Sequence, residues 1–226
     1  MSKRIAILQS CYIPWKGYFD LIAAVDEFIL YDDVQFTKND WRNRNKIKTP
    51  QGVQWLTIPV KKNFGQTIRE TEIDGTAWAE KHWKSYVQYY SKAPAFAEVS
   101  PVLKPLYECD YKHLIEVNHL SLKEICNFLG IRTVIRPSWD YVLGQGKTER
   151  LVDLCRQAGA AEYVSGPSAK SYIVPELFAE AGIKLSWFDY AGYPEYPQLW
   201  GEFMHEVSIL DMLFNLGRNA RNYMKY

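Results

Sequence analysis

The sequence predicts an α/β protein: one domain on a mostly parallel β-sheet, with a layer of helices inserted into it. Three observations predict this. In roughly the first thirty residues an apolar run, a turn, a helical pattern and a second apolar run follow one another, the order of a βαβ unit and its parallel strands. Strand and helix patterns alternate again from residue 133 onward. Between them, residues 78–129 carry aromatic-rich helical spacing.

Taken in order, residues 3–8 read as a buried strand and 17–25 as a helix with Phe19, Leu21 and Ile22 apolar. Residues 28–31 are a second apolar run ending in Asp32-Asp33. The stretch FTKNDWRNRNKIKTPQG (36–52) is polar and basic and reads as a loop or short hairpin. Residues 53–60 and 67–73 look like strands, with KNFG (62–65) as the turn between them. Helices are expected at 78–90, 98–107 and 111–129, the last stopped by Gly130. They make residues 76–130 a helical insertion within one domain, 1–226. Then come a strand at 133–138, a helix at 147–158, a strand at 162–166, a helix at 171–181 and a strand at 183–190. A last helix is expected at 207–216. Pro175 suits a first turn better than a helix interior.

Composition narrows the classes. The chain has 226 residues, 47% apolar and 23% charged, ordinary for a globular domain. Net charge is +1, which argues against a broad nucleic-acid footprint. The segment MSKR before IAIL is too short and too soon polar for a secretory signal, and no apolar run is long enough to cross a membrane, so a cytoplasmic protein is expected. Aromatics reach 15%, with 16 Tyr and 8 Trp, which fits a ligand cleft, an interface between copies of the chain, or an aromatic-rich core. Cys11, Cys109, Cys126 and Cys155 have no CxxC spacing, so free thiols are expected rather than a zinc clip. His82, His113 and His119 share no helix face suited to a metal, and no metal site is expected.

Three segments fall at the carboxyl rim of such a sheet, where ligands bind. The first is Gln9 to Trp15 with Tyr12, leaving strand one and opening helix one; it is read as an anion-ready turn or as an aromatic-capped helix start. Neither a dinucleotide glycine fingerprint nor a phosphate loop is present there. The second is Asp32-Asp33 with Gln35, then Trp41, Arg42, Asn43, Arg44 and Asn45. On an extended chain the two carboxylates point to opposite sides, so at most one faces a site. The arginines match phosphate or carboxylate geometry, or form a solvated face. The third is Ser165, Gly166, Ser168 and Lys170, a close-approach loop with a mobile cation, or a plain turn capped by Ser168.

LQSCYIPWKGYF, YDDVQFTKNDWRNRNKI, WLTIPV, YVSGPSAKSY and SILDMLFNLG, in this order, resemble the WbqC-like family over nearly the whole chain. The matching positions are Gln9, Tyr12, Pro14, Trp15, Gly17, Tyr18, Asp33, Gln35, Asn43, Arg44, Asn45, Pro59, Ser165, Gly166 and Pro167; Cys11 and Lys16 fit the pattern less well. The resemblance implies a role in bacterial O-antigen and surface-polysaccharide biosynthesis. A more distant similarity of layout, to Rossmann-like nucleotidyltransferases such as pantothenate synthetase, implies ATP-driven adenylation. The His-x-Gly-His element of those enzymes is missing at the first turn, where Gln9 to Trp15 stands instead.

The expectation is therefore an enzyme that modifies a nucleotide-linked amino sugar by N-acyl or aminoacyl transfer, with ATP and Mg²⁺ as cofactors if an acyl adenylate forms. The alternative is a non-catalytic sugar-nucleotide-binding or scaffold module of a polysaccharide-assembly complex. Asp33 is expected as general base, with Arg44 and Lys170 at the developing charge. Gln9, Tyr12, Trp15, Tyr18, Gln35, Trp41, Arg42, Asn43, Asn45, Ser165, Gly166 and Ser168 would bind substrate. Loss of Arg44 would then cost roughly 3–4 kcal/mol of barrier.

Overall fold

The structure is a computed structural model describing residues 2–61 and 63–226. Residues 1 and 62, which the sequence reading placed in the N-terminal lead and in the 62–65 turn, lie outside the described residues.

Five parallel strands form the central sheet: β1 (Arg4–Leu8), β2 (Glu27–Leu30), β5 (Val134–Pro137), β6 (Glu162–Ser165) and β7 (Lys184–Trp187), in the order β5-β2-β1-β6-β7. The expected α/β class and parallel sheet are what the chain adopts, an order compatible with a nucleotidyltransferase-like layout. Side chains alternate across each strand. Ala6, Phe28 and Leu30 join one hydrophobic core with the helices α1 (Lys16–Ala23), α4 (Leu114–Leu129) and α7 (Ile209–Leu216). Ile5, Ile7 and Ile29 join a second core with α5 (Thr148–Gln157) and α6 (Pro175–Glu180). Both faces are covered, which is why β1 and β2 are buried nearly throughout.

The chain starts at β1, steps outward through β2 to β5, then returns past β1 to β6 and β7. The direction of winding reverses between β1 and β6. Their carboxyl ends diverge there and leave a crevice.

Helices α2 (Ala77–Tyr90), α3 (Phe96–Leu103) and α4 follow one another in sequence ahead of β5. Their aromatics form a continuous layer: Trp83 packs on Tyr86, Phe96 and Tyr107, and Phe214 of α7 stacks on Tyr90. Helix α4 ends at Gly130 in the left-handed region (φ 69°), the stop its sequence predicts.

Between residues 36 and 73 the hairpin alternative is the one the chain takes, and the strand expected at 67–73 fails. The stretch expected to be a loop or short hairpin contains a full strand, β3 (Arg44–Thr49), paired antiparallel with β4 (Gly52–Thr57). The hairpin thus turns at Pro50-Gln51, and the KNFG stretch lies beyond it. Residues 67–73, read as a strand, make only isolated bridges. There the Thr67 amide and hydroxyl donate to Glu70, and the Thr71 hydroxyl donates to the Thr67 carbonyl. Such local side-chain bonds compete with a ladder.

Candidate functional site

The turn after β1 is fastened from several directions. Ser10 N–H donates to Asp32 Oδ1 (2.8 Å), and Tyr12 N–H donates to the Trp41 carbonyl (3.0 Å). Asn45 Nδ2 donates to the Tyr12 and Ile13 carbonyls (3.1 and 2.8 Å), and the Ser208 hydroxyl donates to Ile13 O (2.8 Å). Ile13 has φ 35°. A β-branched residue there is strained by about 1–3 kcal/mol and persists only where its surroundings over-determine it. Asn45 and Ser208 do so here. The turn delivers Pro14 and Trp15 to the crevice. An ideal Cβ on Gly17 would lie 2.4 Å from the Trp15 indole, so only glycine lets that ring lie over the start of α1.

Around the crevice lies a cavity of about 830 Å³. Leu8, Cys11, Pro14, Trp15 and Tyr18 from the first segment line it, with Trp41, Arg42 and Asn45 from the second and Ser168 from the third. Tyr190, Gly192, Tyr193, His205 and Glu206 close it from the irregular chain after β7. The three expected segments therefore meet at one rim, through Trp15, Arg42 and Ser168.

Arg42 is the central cation. Its side chain is only 12% exposed, and its nearest carboxylate, Asp40, lies 3.7 Å away. Its Nη1 donates to the carbonyls of Gln9 and Ser10 (3.3 and 3.4 Å) and to Cys11 Sγ (2.7 Å). Burial works against its charge, but Cys11 and Asp40 beside it raise its pKa. Burial outweighs Arg42 at the neighbouring thiol and pushes Cys11 up to about 11, so it is a poor nucleophile at neutral pH. The slight burial of His205, an otherwise exposed side chain at the cavity wall, and nearby Lys16 lower its pKa. Lys16 itself is buried against Tyr193, Tyr196 and Phe203, with Nζ 5.2–5.3 Å from their ring centres; burial lowers it to about 8.

Several expected residues lie elsewhere. Tyr12 cannot stack a ligand, because it is fully buried. Its hydroxyl lies 2.8 Å from His82 Nδ1 and 3.1 Å from Tyr107 Oη, inside the helical layer. Gln9 works through its carbonyl, which accepts from Tyr18 (2.9 Å) and Arg42. Asp33, expected as base, lies off the cavity against Ser138 (2.6 Å) and Arg69 (3.4 Å). Arg44 stacks on Trp55 outside it, 4.3 Å from the ring centre. Lys170 lies over Trp187 (5.4 Å) and does not line the cavity, nor do Ser165 and Gly166. Gln35 and Asn43 line a separate hollow of about 630 Å³ with Pro59 and Gln66.

Burial holds His82 down to about 4, and the sign of its linkage follows. An unfolded histidine takes its proton below about pH 6.5, whereas the folded one resists until near 4. Stability present above pH 6.5 is therefore lost as pH falls toward 4, by roughly 3 kcal/mol at most. Urea unfolding at several pH values should show this loss, and His82→Asn should flatten it. An unchanged acid limb in the variant would assign the loss to another group.

Sequence reading missed two features. Tyr190, Tyr193, His205 and Glu206 line the cavity from a segment without regular structure, and no local pattern marks it. Asp32, fully buried, pairs with His119 Nε2 at 2.7 Å, and that ring stacks on Trp139. The partners are 87 positions apart, so only folding reveals them.

Fold and cavity together define an α/β protein with a crevice at the switch point of a parallel sheet. The chain belongs to the WbqC-like protein family, whose model matches residues 9–223. It is similar to the uncharacterized protein Rv1507c of Mycobacterium tuberculosis, 57% identical over 227 residues, covering 99% of this chain and 98% of that one. No solved structure matches it. The family suggests involvement in polysaccharide biosynthesis. Among the described residues no helix is long and apolar enough to cross a membrane.

Proposed function

We propose that the chain is an enzyme of surface-polysaccharide biosynthesis that modifies a nucleotide-linked amino sugar by N-acyl transfer. One observation carries this reading: a cavity of about 830 Å³ at the sheet's switch point, walled by Trp15, Trp41, Tyr190 and Tyr193 around the largely buried cation of Arg42. Its volume is in the range of small-molecule sites. Aromatic walls suit a sugar's C–H faces, and an arginine fork held away from water suits a phosphate.

In the transfer, the sugar amine attacks the carbonyl carbon of an activated acyl donor, either a thioester or an acyl adenylate. The C–N bond forms, the bond to the leaving group breaks, and the amine proton goes to a base. His205 takes that role in place of Asp33, because it lines the cavity and Asp33 does not. If ATP makes the donor, its Mg²⁺ would come bound to the triphosphate.

A thermal-shift screen with UDP-sugars, dTDP-sugars and ATP tests the reading. A ligand at about a hundred times its dissociation constant adds about 2.7 kcal/mol, which raises Tm by about 5–10 °C for a chain of this length. No shift with any of them would sink the proposal. A shift with nucleotide sugars but no acylated product with any donor would reduce the protein to a carrier within an assembly complex.

A further inference from the structure

We propose that the outward face of the β3–β4 hairpin binds the nucleoside diphosphate half of the ligand, while the sugar half enters the cavity. This rests on the nucleotide-sugar reading above and adds a second subsite to it. The antiparallel register sets Arg44 opposite Thr57 and Lys46 opposite Trp55, so these side chains leave the hairpin on one side, while Lys48, next along that side, is covered by Gln198. The other side, with Asn45, Ile47 and Leu56, is buried.

On the outward side Trp55 is 40% exposed, and neighbouring Trp41 is 42% exposed. The other six tryptophans are buried or partly buried. The two indoles lie 5.3 Å apart, tilted by 35°. Lys46 Nζ is 5.5 and 5.4 Å from their centres, and the Arg44 guanidinium is 4.3 Å from that of Trp55. Arg44 has no carboxylate within ion-pair distance among the described residues, and Lys46 meets only the exposed Glu206 at 3.5 Å. Two partly exposed indoles with two weakly compensated cations are the chemistry that takes a nucleobase by stacking, in place of a cation now over the ring, and its phosphates by charge.

The platform is continuous with the cavity, because Trp41 and Glu206 line both. A base on Trp55 and Trp41 would place its diphosphate between Lys46 and Arg42, and the attached sugar inside. The ligand is thus longer than the cavity, and its base end is recognised outside it.

The test titrates the full chain and Trp55→Leu with UDP, dTDP, ADP and GDP, and separately with N-acetylglucosamine 1-phosphate, which has no base. Trp55 lies outside the cavity on an exposed face, so the variant should keep its far-UV dichroism and cavity. The variant should weaken the best nucleotide by about tenfold or more and leave the sugar phosphate within twofold. Trp55→Tyr should restore most of the loss. Equal nucleotide affinity in wild type and Trp55→Leu overturns the hairpin subsite and leaves the cavity reading standing. Failure of every nucleotide and of the sugar phosphate to bind the wild type overturns both. Tight binding of an oligouridine that strengthens with length and vanishes in Trp55→Leu also overturns the proposal, assigning the face to single-stranded nucleic acid.

Discussion

Arg42→Ala is expected to lower kcat/KM for the true substrate by a factor on the order of a hundred or more. Among the described residues Arg42 is the only arginine lining the cavity, and its side chain is 12% exposed, so its field is weakly screened. Removing one partner of a buried charge pair costs roughly 2–5 kcal/mol, and with a phosphate as the other partner the loss reads in kcat/KM. The substitution also frees the carbonyls of Gln9 and Ser10, so some stability should go with it. Arg42→Lys separates the two effects: it keeps a charge but loses the fork, and should recover stability more than rate. Arg44→Ala is the contrast. It sits outside the cavity on Trp55, so it should raise KM and leave kcat within about threefold. Steady-state kinetics with circular dichroism on all three decide the matter. A hundredfold kcat loss in Arg44→Ala with normal kcat/KM in Arg42→Ala would reverse the assignment.

The largest stability effect is expected at Asp211. Its carboxylate is fully buried at the start of α7 and accepts from Tyr90 and Tyr196 hydroxyls (both 2.8 Å) and from Gln198 Nε2 (2.7 Å). Tyr90 in turn accepts from the Lys48 amide of β3 (3.0 Å), so one side chain ties the helical layer, the hairpin and the chain after β7. Asp211→Ala strands three buried donors and should cost about 3–5 kcal/mol in urea unfolding. Burial raises the Asp211 pKa despite those donors, which shows that the charge itself is held at a cost. Asp211→Asn keeps the shape and one acceptor without that charge, and should cost much less. Equal losses in both variants would mean that the charge, rather than the acceptors, holds the junction.

The legible part of the site was the part carried by strand ends. Gln9 to Trp15, Asp32-Asp33 and Ser165 to Ser168 all follow apolar runs, and a parallel sheet sends all such ends to one rim. That is enough to gather segments but not to choose side chains within them. Tyr12 and Trp15 both looked like stacking groups. Ile13 in its left-handed conformation turns the chain between them, so one enters the helical layer and the other the cavity. Arg42 and Arg44 both looked like phosphate forks. Arg44 lies in β3 and Arg42 just before it, so the hairpin's pleat governs only Arg44 and carries it outward. Residues 44–49 hid their strand because Lys46 faces the surface and Lys48 is buried against Gln198, where apolar residues are usual.

The sequence by itself determined the α/β class, the parallel sheet, the helical layer and the family, because periodicity and residue order are local and additive over a long chain. Only the tertiary structure decided which arginine is enclosed, that Asp33 stands apart, and that the chain after β7 completes the cavity with His205 and Glu206. Those outcomes depend on contacts between positions far apart in the chain and on which way one strained turn faces, and neither leaves a pattern along the sequence.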